Sequence, residues 1–114
     1  MNEEESASRN IISLSDLLHH VSKRPALYVG TQQFNMAAAF IEGCSFAISV
    51  MDPDSQFPNE LKEFNIWLAN RLNFPKNCAW WNGLKNSFPE ESETFKQLIL
   101  LFEEFKSKTS TNHS

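Results

Sequence analysis

The apolar positions of this chain recur at intervals of three and four. Leu14, Leu17, Leu18 and Val21 predict a first helix over about 14–23, with Ser13 and Asp16 in a capping arrangement at its start. From about Gln33 to Met51, Phe34, Ile41 and Ile48 fall seven apart, Ala37, Cys44 and Met51 do the same beside them, and Phe40 and Ala47 add a flanking row. So wide an apolar arc predicts the central, most buried helix. Gly43 in its interior costs about 1 kcal/mol relative to Ala, so another element is expected to pack closely there. Glu42, the one charge in this helix, is expected to face solvent.

Asp52-Pro53-Asp54-Ser55 is a turn signal that closes the second helix. Leu61, Phe64, Leu68 and Leu72 form the stripe of a third, over about 58–72, with Trp67 beside it; NFPKN at 73–77 ends it. A short fourth helix, about 78–86, contains Trp80 and Trp81. Neighbouring helical positions differ by about 100°, so both rings cannot enter the core by one face, and one is expected on a surface. Pro89 and the acidic Glu90, Glu91 and Glu93 open the last helix, where carboxylates favour the positive end of the dipole. Phe95, Leu98, Phe102 and Phe105 follow the spacing of a packing seam, widened by Ile99 and Leu101.

No segment alternates at period two. The expected fold is therefore all-α, a single compact bundle of about five helices over 13–106, between a flexible acidic N-terminus at 1–12 and a disordered tail at 107–114. Between the first two helices lies KRPALYVG, residues 23–30. Pro25 stops the incoming helix, and Leu27, Tyr28 and Val29 read as an extended connector pinned into the core, with Gly30 supplying a turn.

Composition sharpens this picture. One core suits 114 residues, and ten Phe and three Trp against one Tyr and three Gly predict that large flat rings fill it. A net charge of −4 argues against direct nucleic-acid binding and for a basic partner. Cys44 and Cys78 lack metal-ligand spacing and suit free thiols in a reducing compartment. The N-terminal segment has no signal-like apolar stretch, and no 18-residue apolar run for a membrane span is expected anywhere in the chain, so a cytoplasmic protein without membrane contact is expected.

Candidate chemistry is sparse. His19 and His20 are adjacent and cannot share a face, and nothing places a serine or cysteine beside them. Carboxylate pairs such as Glu60 with Glu63 or Glu103 with Glu104 are routine on exposed helices, and no glycine-rich phosphate loop occurs. The sequence therefore nominates no catalytic residue, no cofactor and no metal, and predicts no enzyme. Charge is unevenly spread: residues 42–63 sum to −4, 64–89 to +3 and 90–104 to −4.

Two family resemblances follow from these residues. KRPALYVG followed by a helix with Glu42 is similar, over a short span, to the start of the ATPase domain of type II topoisomerases. There the position of the magnesium-holding asparagine is Phe46 and that of its neighbouring aspartate is Ser45, and an apolar ring cannot coordinate a hard cation; that reading is set aside. A broader pattern runs through Arg24, Pro25, Tyr28 and Gly30, then Phe40 and Gly43, then Phe64, Trp67 and Leu68, then Trp80 or Trp81, then Phe102 and Phe105. It resembles small bacterial immunity proteins that accompany secreted polymorphic toxins, including those of contact-dependent growth inhibition.

That resemblance implies a cytoplasmic antidote that binds and blocks one cognate toxin domain, often a nuclease with a basic cleft, as a monomer in a one-to-one complex. The residues expected to meet such a partner are Asp52, Asp54, Glu60 and Glu63 in one acidic stretch and Glu90, Glu91 and Glu93 in the other, with Trp80 and Trp81 as aromatic anchors. The alternative is a non-catalytic helical interaction or regulatory module whose aromatic surface recruits another cytosolic protein.

Overall fold

Why these segments become helices, and which of their faces find partners, follows from a computed structural model that describes residues 13–23 and 33–113. The described residues form five helices and no strand: α1 (Leu14–Lys23), α2 (Phe34–Met51), α3 (Phe57–Leu72), α4 (Trp80–Ser87) and α5 (Glu91–His113). The protein is an all-α bundle, as its periodicity predicts. The connector with Arg24, Pro25, Tyr28 and Gly30, and the acidic N-terminus at 1–12, lie outside the described residues.

Each helix start has a nameable cause. At α1, the Ser13 hydroxyl accepts the Asp16 amide at 3.0 Å, the capping arrangement expected from the sequence. Neither α2 nor α4 has a side-chain cap of its own. Instead, Glu91 of α5 accepts the Phe34 amide at 2.7 Å, and Asn65 of α3 accepts the Trp80 amide at 2.7 Å. Tertiary neighbours thus satisfy amides that a local cap would ordinarily take. At the far end of α3, Asn73 adopts the left-handed conformation at φ 61°, and the Phe74 amide turns back to the Ala69 carbonyl at 3.0 Å.

The core is aromatic. Phe64 is its hub, with ring centroids 5.2 Å from Phe102, 5.4 Å from Phe105, 6.1 Å from Trp67 and 6.4 Å from Trp80. Phe34 meets Phe95 and Trp80 edge-on at 5.1 and 6.1 Å, arrangements that suit the ring quadrupoles. The seam of Phe95, Leu98, Phe102 and Phe105 is buried, as is the α1 stripe. Thr94 is buried as well, its hydroxyl hydrogen-bonding the carbonyls of Phe88 and Glu90.

Four expectations are corrected. First, α2 is not the most buried helix: it is buried along one face alone, carrying Phe34, Ala37, Ala38, Ile41, Ser45 and Ile48 of its 18 residues, whereas four of the ten residues of α1 are buried. The other helices gather on that one side, so the remaining apolar arc, including Ala47 and Met51, is exposed. Second, among the described residues nothing lies within 4 Å of where a Gly43 side chain would start; close packing occurs instead at Gly83, where an added Cβ would stand 2.3 Å from the Phe74 ring. Third, α2 is an 18-residue run with mean hydropathy 1.4, long and apolar enough by length and composition to cross a membrane. One charge in eighteen positions barely lowers the average, which is why a search for an uninterrupted run passes over it. Fourth, α5 continues to His113 through residues expected to form a disordered tail. Its SKTSTNH segment contains neither Pro nor Gly, and a helix anchored by a packed seam propagates more readily than it starts.

Candidate partner-binding surface

The nine residues nominated by the sequence separate into three groups. Trp80 is 1% exposed. Its indole N–H donates to Glu42 at 2.6 Å, and its ring packs on Phe34 and Phe64. A ring so enclosed presents nothing to a partner, so Trp80 is corrected from anchor to core residue. Trp81, half-buried beside the core, keeps part of its ring at the surface. The expected split between adjacent tryptophans is present. Glu42, exposed as a residue, nonetheless holds the buried indole.

Glu90, Glu91 and Glu93 form the second group, and internal contacts occupy them. Glu90 accepts the Ser92 hydroxyl at 2.7 Å and the Glu93 amide at 3.0 Å. These two bonds, the hydroxyl first, hold its carboxyl below the ordinary value. Glu91 pairs with the Lys85 ammonium and accepts the Phe34 amide, so one carboxylate joins α5 to α4 and α2. Lys85 is the main cause of its lowered pKa, followed by that amide. Glu93 accepts the Gln97 side-chain amide at 2.8 Å.

The third group sits at the α2–α3 corner. Asp54 and Glu63 are exposed, Asp52 is half-buried, and Glu60 is tied to Lys106 of α5. Glu63 is met by Asn59 at 3.3 Å. From Gln33 to Leu61 the chain has Glu42, Asp52, Asp54 and Glu60 and no Lys or Arg, so this stretch is acidic, with Lys62 just beyond it and Lys106 of α5 on Glu60 as bases at its edge.

Sequence reasoning missed a further surface, the outer face of α2. Phe46 is 72% exposed, Val50 65%, Met51 74% and Met36 49%, and Ala39, Gly43 and Ala47 are exposed between them. On a helical wheel these seven positions lie within about 140°. None is polar. The available signal was Ala39, Gly43 and Ala47 at four-residue steps in a helix with one charge, a pattern that leaves a groove along the backbone.

Two larger concavities lie among the described residues. One of about 890 Å³ lies between the end of α1 and the start of α5 and includes His19, Ser22, Lys96 and Ile99. His19 there bonds the Ser15 carbonyl at 2.8 Å and Glu103 at 3.3 Å. Another of about 610 Å³ lies between α2, α3 and the 73–79 loop and includes Glu42, Lys62, Ile66 and Cys78. Cys44 and Cys78 are both free, and burial pushes the Cys44 thiol up. Among the described residues, no group of three or more His, Cys, Asp or Glu side chains could hold a metal ion. Comparison with family models, curated proteins and solved structures returned no match.

Proposed function

We propose that this chain is a non-catalytic binding protein that neutralises a basic toxin domain, a nuclease being the partner whose charge best suits it. The sequence resemblance to immunity proteins supplies the class, and one structural observation supports it: the acidic corner where Asp54 and Glu63 are exposed and Asp52 is half-buried, at the end of a stretch, 33–61, that holds no Lys or Arg. A nuclease must present positive charge to a polyanion, so an acidic corner steers toward the same cleft that the substrate uses. Glu90, Glu91 and Glu93 stand apart from this role because their oxygens serve the fold. Trp81, at the edge of α4, is the remaining aromatic candidate for contact. Each chain takes one toxin domain, in the cytoplasm where the toxin would act.

The test is stopped-flow association between the purified chain and the toxin domain encoded beside it, at rising ionic strength. Asp52→Lys, Asp54→Lys and Glu63→Lys together should slow association on the order of tenfold at low salt and flatten its salt dependence. A wild-type chain that neither binds nor inhibits that domain would remove the reading.

A further inference from the structure

We infer that the outer face of α2 pairs with the same face of a second copy, forming a two-fold dimer centred at Gly43. Three observations carry this independently of the toxin reading. The first is size. The largest exposed apolar patch on a typical monomeric protein is about 300–600 Å² and is often functional. The Met36-to-Met51 face offers roughly 500 Å² per copy, so a pair would bury about 1,000 Å², the lower end for a specific interface.

The second is Gly43 itself. Glycine inside a helix is unfavourable, and among the described residues nothing stands within 4 Å of where its side chain would start. A helix from outside, crossing at close range, would use that space. The third is relief. Ala39, Gly43 and Ala47 form a shallow groove along one four-residue row, and Phe46 and Val50 form a ridge along the adjacent row. A two-fold axis at Gly43 lays each copy's Phe46–Val50 ridge in the other's groove, the four-residue ridge packing that crosses helices at about 50°.

Such a face must be complementary to itself. This one qualifies, since its seven members carry no charge that would meet its own sign across the axis. Glu42 flanks it and is engaged with Trp80. Asp52 and Asp54 lie beyond its end, so both acidic corners of the pair stay open. The one-to-one stoichiometry expected from the sequence then becomes two chains with two partners.

The experiment is sedimentation velocity on the full chain, with no added ligand, over a concentration series spanning the micromolar range. Wild type should pass from one to two chain masses. Phe46→Asp and Gly43→Leu should each stay monomeric at concentrations where wild type pairs, with unchanged far-ultraviolet circular dichroism. Leu100→Asp, at an exposed apolar position on α5, should pair as wild type does. Gly43→Leu improves helix propensity and starts its side chain in space open among the described residues, and unchanged circular dichroism separates loss of pairing in it from unfolding. A wild type that is monomeric throughout, or that forms open-ended aggregates, overturns the proposal, and so does undiminished pairing by both α2 variants.

Discussion

The indole N–H of Trp80 donates to the carboxylate of Glu42 at 2.6 Å, a side-chain bond between α4 and α2 across 38 residues of chain. A buried ring nitrogen without an acceptor would be costly, and Glu42 removes that cost from the edge of the core. Glu42→Ala should therefore destabilise the fold by about 1–3 kcal/mol, whereas Glu42→Gln, which keeps an acceptor oxygen, should lose less. Urea unfolding followed by tryptophan fluorescence measures both. Equal stability for Glu42→Ala and wild type would show that water replaces the carboxylate.

The two tryptophans should separate by energy. Trp80→Ala vacates a site walled by Phe34 and Phe64 and should cost about 3–5 kcal/mol. Trp81→Ala, at a half-buried position, should cost markedly less. Chemical denaturation of the two variants side by side decides this.

The two helical glycines should respond oppositely to the same change. Gly43→Ala adds a methyl group in open space and should stabilise the isolated chain by about 1 kcal/mol. Gly83→Ala drives its methyl group into the Phe74 ring and should destabilise by about 1–3 kcal/mol. Thermal unfolding at low concentration, where pairing does not contribute, measures each.

Acid should weaken the α5 start. The folded-state values of Glu90 and Glu91 are lowered by Ser92 and by Lys85 respectively. In the carboxylate range the unfolded chain therefore binds more protons than the folded one. Stability from these groups is present above the ordinary value of 4.5 and is lost as pH falls through the lowered values. Glu91→Gln should be less stable than wild type at neutral pH and should show a shallower loss on acidification. Urea midpoints across that range test it, and parallel curves would contradict it.

Much of the helical layout was legible because helix periodicity is local. Leu14 to Val21, Leu61 to Leu68 and Phe95 to Phe105 repeat at the spacing of one helix face, and all are buried where that spacing places them. The capping of α1 by Ser13 was legible for the same reason, since both partners lie within one turn.

What lay beyond the sequence were relations between distant residues. The acidic character of Glu91 and Asp54 is plain in the chain, but only the packed bundle brings Lys85 and the Phe34 amide to Glu91 while leaving Asp54 in solvent. Likewise, the 3.6-residue period reports how many apolar rows α2 carries and cannot report how many have neighbours. The sequence by itself determined the helices and their apolar rows, because backbone geometry repeats every turn. Tertiary structure alone decided which rows are covered and which carboxylates are occupied, because helices can stack only where connecting segments and bulky rings allow. Here they cover one side of α2 and leave Phe46, Val50 and Met51 outside.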